Sequence, residues 1–75
     1  MMPMALAKGG SSIQVERILL DDTLGKRLRE IGISKGNDIE IIKNDSAGLI
    51  LGINGSRLAL DKTLAQKIFV REIND

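Results

Sequence analysis

Apolar positions change phase along the first long hydrophobic stretch of the chain. Ile13, Val15 and Leu19 share one face by strict alternation, whereas Ile18 and Leu20 fall on the other. This pattern predicts a strand over 13–20 with a bulge near Glu16-Arg17 that turns both sets toward a core. Asp21-Asp22-Thr23 then offers short oxygen-bearing side chains to the free amides of a first helical turn. Leu24, Leu28 and Ile31 follow at helical spacing as one packing stripe, with Lys26, Arg29 and Glu30 pointing away from it. Gly32 ends this helix, and Gly25 inside it costs about 1 kcal/mol relative to alanine, so the helix depends on its packing.

The second half reads as strands separated by turns. Lys35-Gly36-Asn37-Asp38 is a turn, residues 39–43 a strand, Asn44-Asp45-Ser46-Ala47-Gly48 a hairpin loop and residues 49–53 the returning strand. Asn54-Gly55 suits a type I′ turn, whose two central residues need positive φ. Residues 57–60 form the next strand. Asp61 caps one or two helical turns in which Leu64, Ala65 and Ile68 share a face, and residues 69–73 close the chain as a last strand.

The sum is about five strands and two short helices in one domain over 1–75, with its core over about 4–73. Residues 39–42 and 49–53 are apolar on both faces, which an open sheet of this size leaves uncovered. A sheet closed on itself removes its edges and supplies an interior. The expected fold is a mainly β, small SH3-like barrel, with Ile41, Leu51, Leu58 and Leu60 buried and Leu28 packing the helix onto it.

Composition narrows the chemistry. The 75 residues include no cysteine and no histidine, which removes disulfides, thiolate and imidazole metal sites, and histidine-based triads. Eleven Ile, ten Leu and two Val must make the core, and Phe69 is the only aromatic, so no base-stacking platform exists. Lys plus Arg total 11 against 10 Asp plus Glu, a balance that favours neither nucleic acid nor a strongly acidic partner. No apolar run approaches the roughly 20 residues of a membrane span, and the N-terminus lacks the pattern of a secretory signal. Cytoplasm is the expected location, without direct membrane insertion.

No catalytic constellation accompanies Glu40 or Glu72, and neither G-x-G-x-x-G nor a Walker loop occurs, so a non-enzymatic protein is expected. Asp21, Asp22 and Asp61 read as caps. Without His or Cys ligands no cofactor is expected, and any Fe2+ contact is weak or transient. The remaining candidates concern docking. If Leu49, Leu51 and Ile53 face inward, Ile50 looks outward near Ile42 on the partner strand, and Lys26, Arg27 and Arg29 form a basic helix face.

One resemblance connects these pieces. Leu28-Arg29-Glu30-Ile31-Gly32-Ile33-Ser34-Lys35-Gly36, a two-stranded arm, Gly55-Ser56-Arg57-Leu58-Ala59-Leu60, and then Ala65 and Ile68 resemble the FeoA domain family. Met4-Ala5-Leu6-Ala7-Lys8-Gly9 is similar to that family's lead-in to its first strand. The sequence departs from the family at Lys35, where a proline is usual, and in the arm loop Asp45-Ser46-Ala47-Gly48-Leu49. The resemblance implies an SH3-like barrel serving prokaryotic ferrous iron uptake, docked on the cytosolic side of a FeoB-like membrane permease. Ile42 and Ile50 are the expected apolar anchors, with Lys26 and Arg29 adding attraction. It also implies an alternative, a metal-responsive regulatory module like the C-terminal domain of iron-dependent repressors.

Overall fold

The computed structural model describes residues 1–73. Residues 74 and 75 of the expected domain therefore lie outside the described residues. Six strands form one antiparallel sheet: β1 (Met2–Pro3), β2 (Ser12–Ile18), β3 (Asp38–Asp45), β4 (Gly48–Ile53), β5 (Ser56–Leu60) and β6 (Ile68–Glu72). Their spatial order is β1-β6-β2-β3-β4-β5. Helix α1 (Asp22–Glu30) joins β2 to β3, and α2 (Lys62–Ala65) joins β5 to β6. The strand missing from the sequence reading is β1, two residues that pair with Val70 and Phe69. A 3-10 turn over Met4–Leu6 follows it and packs with α2, which bridges the two ends of the sheet, whose outermost strands β1 and β5 are not neighbours.

Aliphatic side chains fill the interior. Met4, Ile13, Ile33, Ile39, Ile41, Leu49, Leu51, Ile68, Val15 and Val70 are all but inaccessible to water. Ile41, Leu51, Leu60 and Leu28 are buried as expected, each worth about 1.5–3 kcal/mol of transfer free energy. Leu58 is only half-buried, because β5 ends the sheet and no further strand among the described residues lies beside it.

The expected bulge in β2 is present: Val15 pairs with Val70 and Arg17 with Phe69, leaving Glu16 extra. It does not turn both apolar sets inward, however. It exchanges them, so that Ile18 and Leu20 pack against the core while Leu19 is exposed. One inserted residue reverses the side-chain phase of everything after it.

Both helices start on the predicted caps, with Leu24 N–H donating to Asp21 Oδ1 at 2.9 Å and Leu64 N–H to Asp61 Oδ1 at 2.7 Å. At the C-terminus of α1, Ile33 N–H reaches Leu28 O at 2.8 Å and Gly32 N–H reaches Arg29 O at 3.1 Å, a Schellman cap. Ile31 already lies outside the helix there and is exposed, so it does not belong to the packing stripe.

The β3–β4 hairpin is tighter than expected. Asn44 and Gly48 belong to the strands, and only Ser46-Ala47 turns, with Ala47 N–H donating to Asp45 Oδ1 at 2.8 Å. Asn54 at φ 50° and Gly55 at φ 81° make the predicted β4–β5 turn.

Candidate docking face

The arm of β3, β4 and β5 presents one outer face. On β4, Leu49, Leu51 and Ile53 are buried, so Ile50 and Gly52 point outward. Ile50 stands opposite Lys43 on one side and Ala59 on the other. On β3 the register shifts between Ile41 and Lys43, and Ile42 is the extra residue. This bulge places Ile42 and Lys43 on the same outer side and sends Asn44 inward. Strict alternation would put Lys43 beside Ile39 and Ile41 in the core. A lysine at a core position is the sequence signal that could have revealed the bulge.

Gly52 makes room for Ile42. A Cβ at Gly52 would stand 3.3 Å from Ile42 Cδ1 and 3.5 Å from Glu40 Cβ. Ile42 therefore lies over the glycine, beside an open hollow of about 300 Å³ that Glu40 and Arg57 also line. Ile50 lines a second hollow of about 430 Å³, with Lys43, Asp45, Ala59 and Asp61 around it. Both isoleucines are half-buried. They share the face but sit in separate hollows, each an apolar floor with charges at its border.

Those charges are mixed. Lys43 Nζ lies 3.3 Å from Asp45 Oδ2, a solvent-facing pair of small energetic weight. The Asp45 carboxyl is held below its usual 3.8 because it accepts the Ala47 N–H, with Lys43 as the next cause. Lys26 and Arg29 are exposed on α1 and line neither hollow of the arm. Arg29 instead borders a surface with Arg17, Lys35 and Ile18, against β2. The fold thus brings together Ile42 and Ile50 but leaves the two basic residues elsewhere. Lys43, Asp45 and Ala59, which complete the face, were not singled out in the sequence.

Among the described residues, no group of three or more carboxylates gathers closely enough to hold a metal ion. No helix among them is long and apolar enough to cross a membrane.

A small antiparallel barrel whose interior is filled by aliphatic side chains, with short connections between most of its strands, is an SH3-like domain. The chain belongs to the FeoA domain family, whose model matches residues 2–72. It is 33% identical over 72 residues to a Methanocaldococcus jannaschii protein named as an Fe(2+) transport protein A, covering 96% of this chain and 88% of that one. The fold is similar to the crystal structure of an iron uptake regulatory protein, FeoA, with a TM-score of 0.88 and 26% identity over 96% of this chain and 97% of the other. It is also similar, with a TM-score of 0.83 and 20% identity, to part of a manganese-dependent transcriptional repressor, covering 96% of this chain and 41% of the repressor. That last likeness is one of fold. The family is one of Fe2+ transport.

Proposed function

We propose that this chain is a non-enzymatic accessory protein of prokaryotic ferrous iron uptake, acting in the cytoplasm by docking on the cytosolic part of a FeoB-like permease. The observation that carries the reading is Ile50, a half-buried aliphatic side chain on an outer sheet face, set between Lys43 and Ala59. Ile42 is the second anchor on the same face. Two apolar centres, Ile50 bordered by Lys43, Asp45 and Asp61 and Ile42 bordered by Glu40 and Arg57, have the composition of a docking patch, apolar within and polar at the border. Lys26 and Arg29 lie apart from it, so their contribution is long-range attraction that raises the association rate more than the affinity.

The test is an NMR titration of the labelled chain with the cytosolic part of the permease. Ile50→Asp is expected to keep the fold and weaken the complex by about 1–3 kcal/mol, because the interface would bury an unpaired charge. Unchanged binding by the folded variant removes the arm as docking face. No binding by the unaltered chain overturns the permease reading.

A further inference from the structure

The docking reading concerns the face of the arm, but the arm also has an edge. Strand β5 ends the sheet, with β4 as its only strand neighbour among the described residues. The Asn54-Gly55 turn makes Ile53 and Ser56 a hydrogen-bonded pair, so the N–H and C=O groups of Ser56, Leu58 and Leu60 face β4. Those of Arg57 and Ala59 therefore face the other way. No backbone group among the described residues meets them there. Beside this edge is an open hollow of about 310 Å³, lined by Ile31, Ile53 and Leu58. Ile31 is 45% exposed and Leu58 is half-buried, so apolar surface is uncovered on both sides of the gap. Arg57 borders the same hollow and forms no ion pair among the described residues.

We infer that the free edge of β5 accepts an extended segment of the partner as a seventh strand. The segment places a large aliphatic side chain in the hollow of Ile31, Ile53 and Leu58 and a carboxylate opposite Arg57. The inference rests on the docking reading above. Main-chain bonds from Arg57 and Ala59 supply the pairing, while the hollow and the guanidinium select the side chains. Charge decides between occupants. A second copy of β5 carries an arginine and no carboxylate, so it leaves Arg57 without a counter-charge.

Hydrogen exchange of the labelled full chain, with and without the cytosolic part of the permease, tests this. The amides of Arg57 and Ala59 are expected to exchange about tenfold more slowly, or slower still, in the complex. Ala59→Pro removes an N–H that does not serve β4, and edge strands tolerate proline, so binding should fall about tenfold with the fold retained. Arg57→Glu leaves the backbone intact and is expected to weaken binding too, which keeps the test valid if the proline variant misfolds. Binding that survives both substitutions, with unchanged exchange at Arg57 and Ala59, overturns the edge proposal; because both side chains also border the outer face, slowed exchange at their two amides, and not weakened binding alone, is the result that supports it. Loss of binding in Ile50→Asp alone has the same meaning. Absence of any binding removes both readings. Protection that grows with the concentration of this chain alone points to self-pairing and overturns the proposal.

Discussion

Asn44 Nδ2 stands 2.6 Å from the carbonyl oxygen of Ala7, tying the arm to the N-terminal segment of the chain. The same amide donates to Ala5 O at 3.0 Å, so one side chain serves two carbonyls left over from the 3-10 turn. Its Oδ1 is buried with no hydrogen-bond partner among the described residues, so the amide is held for its donors. Asn44→Ala leaves those two carbonyls without this donor and is expected to cost about 1–3 kcal/mol, read as a lower urea midpoint. An unchanged midpoint would show that the N-terminal segment is held by its apolar contacts alone.

Gly32 and Gly36 both have positive φ, at 105° and 89°, but their surroundings differ. A Cβ at Gly32 would stand 2.5 Å from Ile53 Cγ2 and 3.0 Å from Asn54 Nδ2, whereas one at Gly36 meets nothing within 4 Å. Gly36→Ala is expected to cost about 1–2 kcal/mol of backbone strain. Gly32→Ala adds about 1–3 kcal/mol of overpacking, because the new Cβ would stand far inside contact distance of a methyl on the buried Ile53. Thermal melts of the two variants should separate clearly, with Gly32→Ala the lower. Equal melting temperatures would mean that the Gly32 loop and the β4–β5 turn move apart at little cost.

The Asp45 carboxyl is held below 3.8 first by the Ala47 N–H and then by Lys43. Its folded pKa is therefore below its unfolded one, so its contribution is complete above 3.8 and lost as pH falls through the lowered value. Asp45→Asn is expected to flatten the stability profile on the acid side of 3.8 and leave its slope near neutrality unchanged. A carbon-detected titration of the Asp45 carboxyl with its midpoint at or above 3.8 would contradict this.

Ferrous iron should leave the isolated chain's melting temperature unchanged at equimolar concentration. The sequence contains no His or Cys, and the described carboxylates form no cluster. A ligand present at 100 times its dissociation constant adds about 2.7 kcal/mol, a rise easily seen in a domain of this size. Such a rise would return weight to the metal-responsive reading.

The features legible in the sequence are those whose cause is local. Asp21 and Asp61 cap because their own oxygens reach the amides three residues on. Asn54-Gly55 turns because those two residues tolerate positive φ. The misplaced features have distant causes. Asn44 reads as loop from its neighbours, yet it is fixed in β3 by carbonyls 37 and 39 residues away. Met2–Pro3 has too few residues to show alternation and becomes a strand only against Val70 and Phe69. Ile42 and Ile50 could be placed outward from the alternation of β4, but their separate hollows depend on a bulge that local pattern signalled only through Lys43.

A ribosome releases this chain in an order that its sheet does not follow. The strand between β1 and β2 is β6, so Met2, Val15 and Ile18 face an open gap until Ile68–Glu72 has left the exit tunnel. At about 5–20 residues per second, several seconds pass in which the earlier segments can collapse but cannot complete the barrel. Nascent chains stalled before Ile68 should therefore be cut readily by protease, while those released beyond Glu72 resist. For this small domain, the sheet joins its two halves only once β6 is available to stand between β1 and β2.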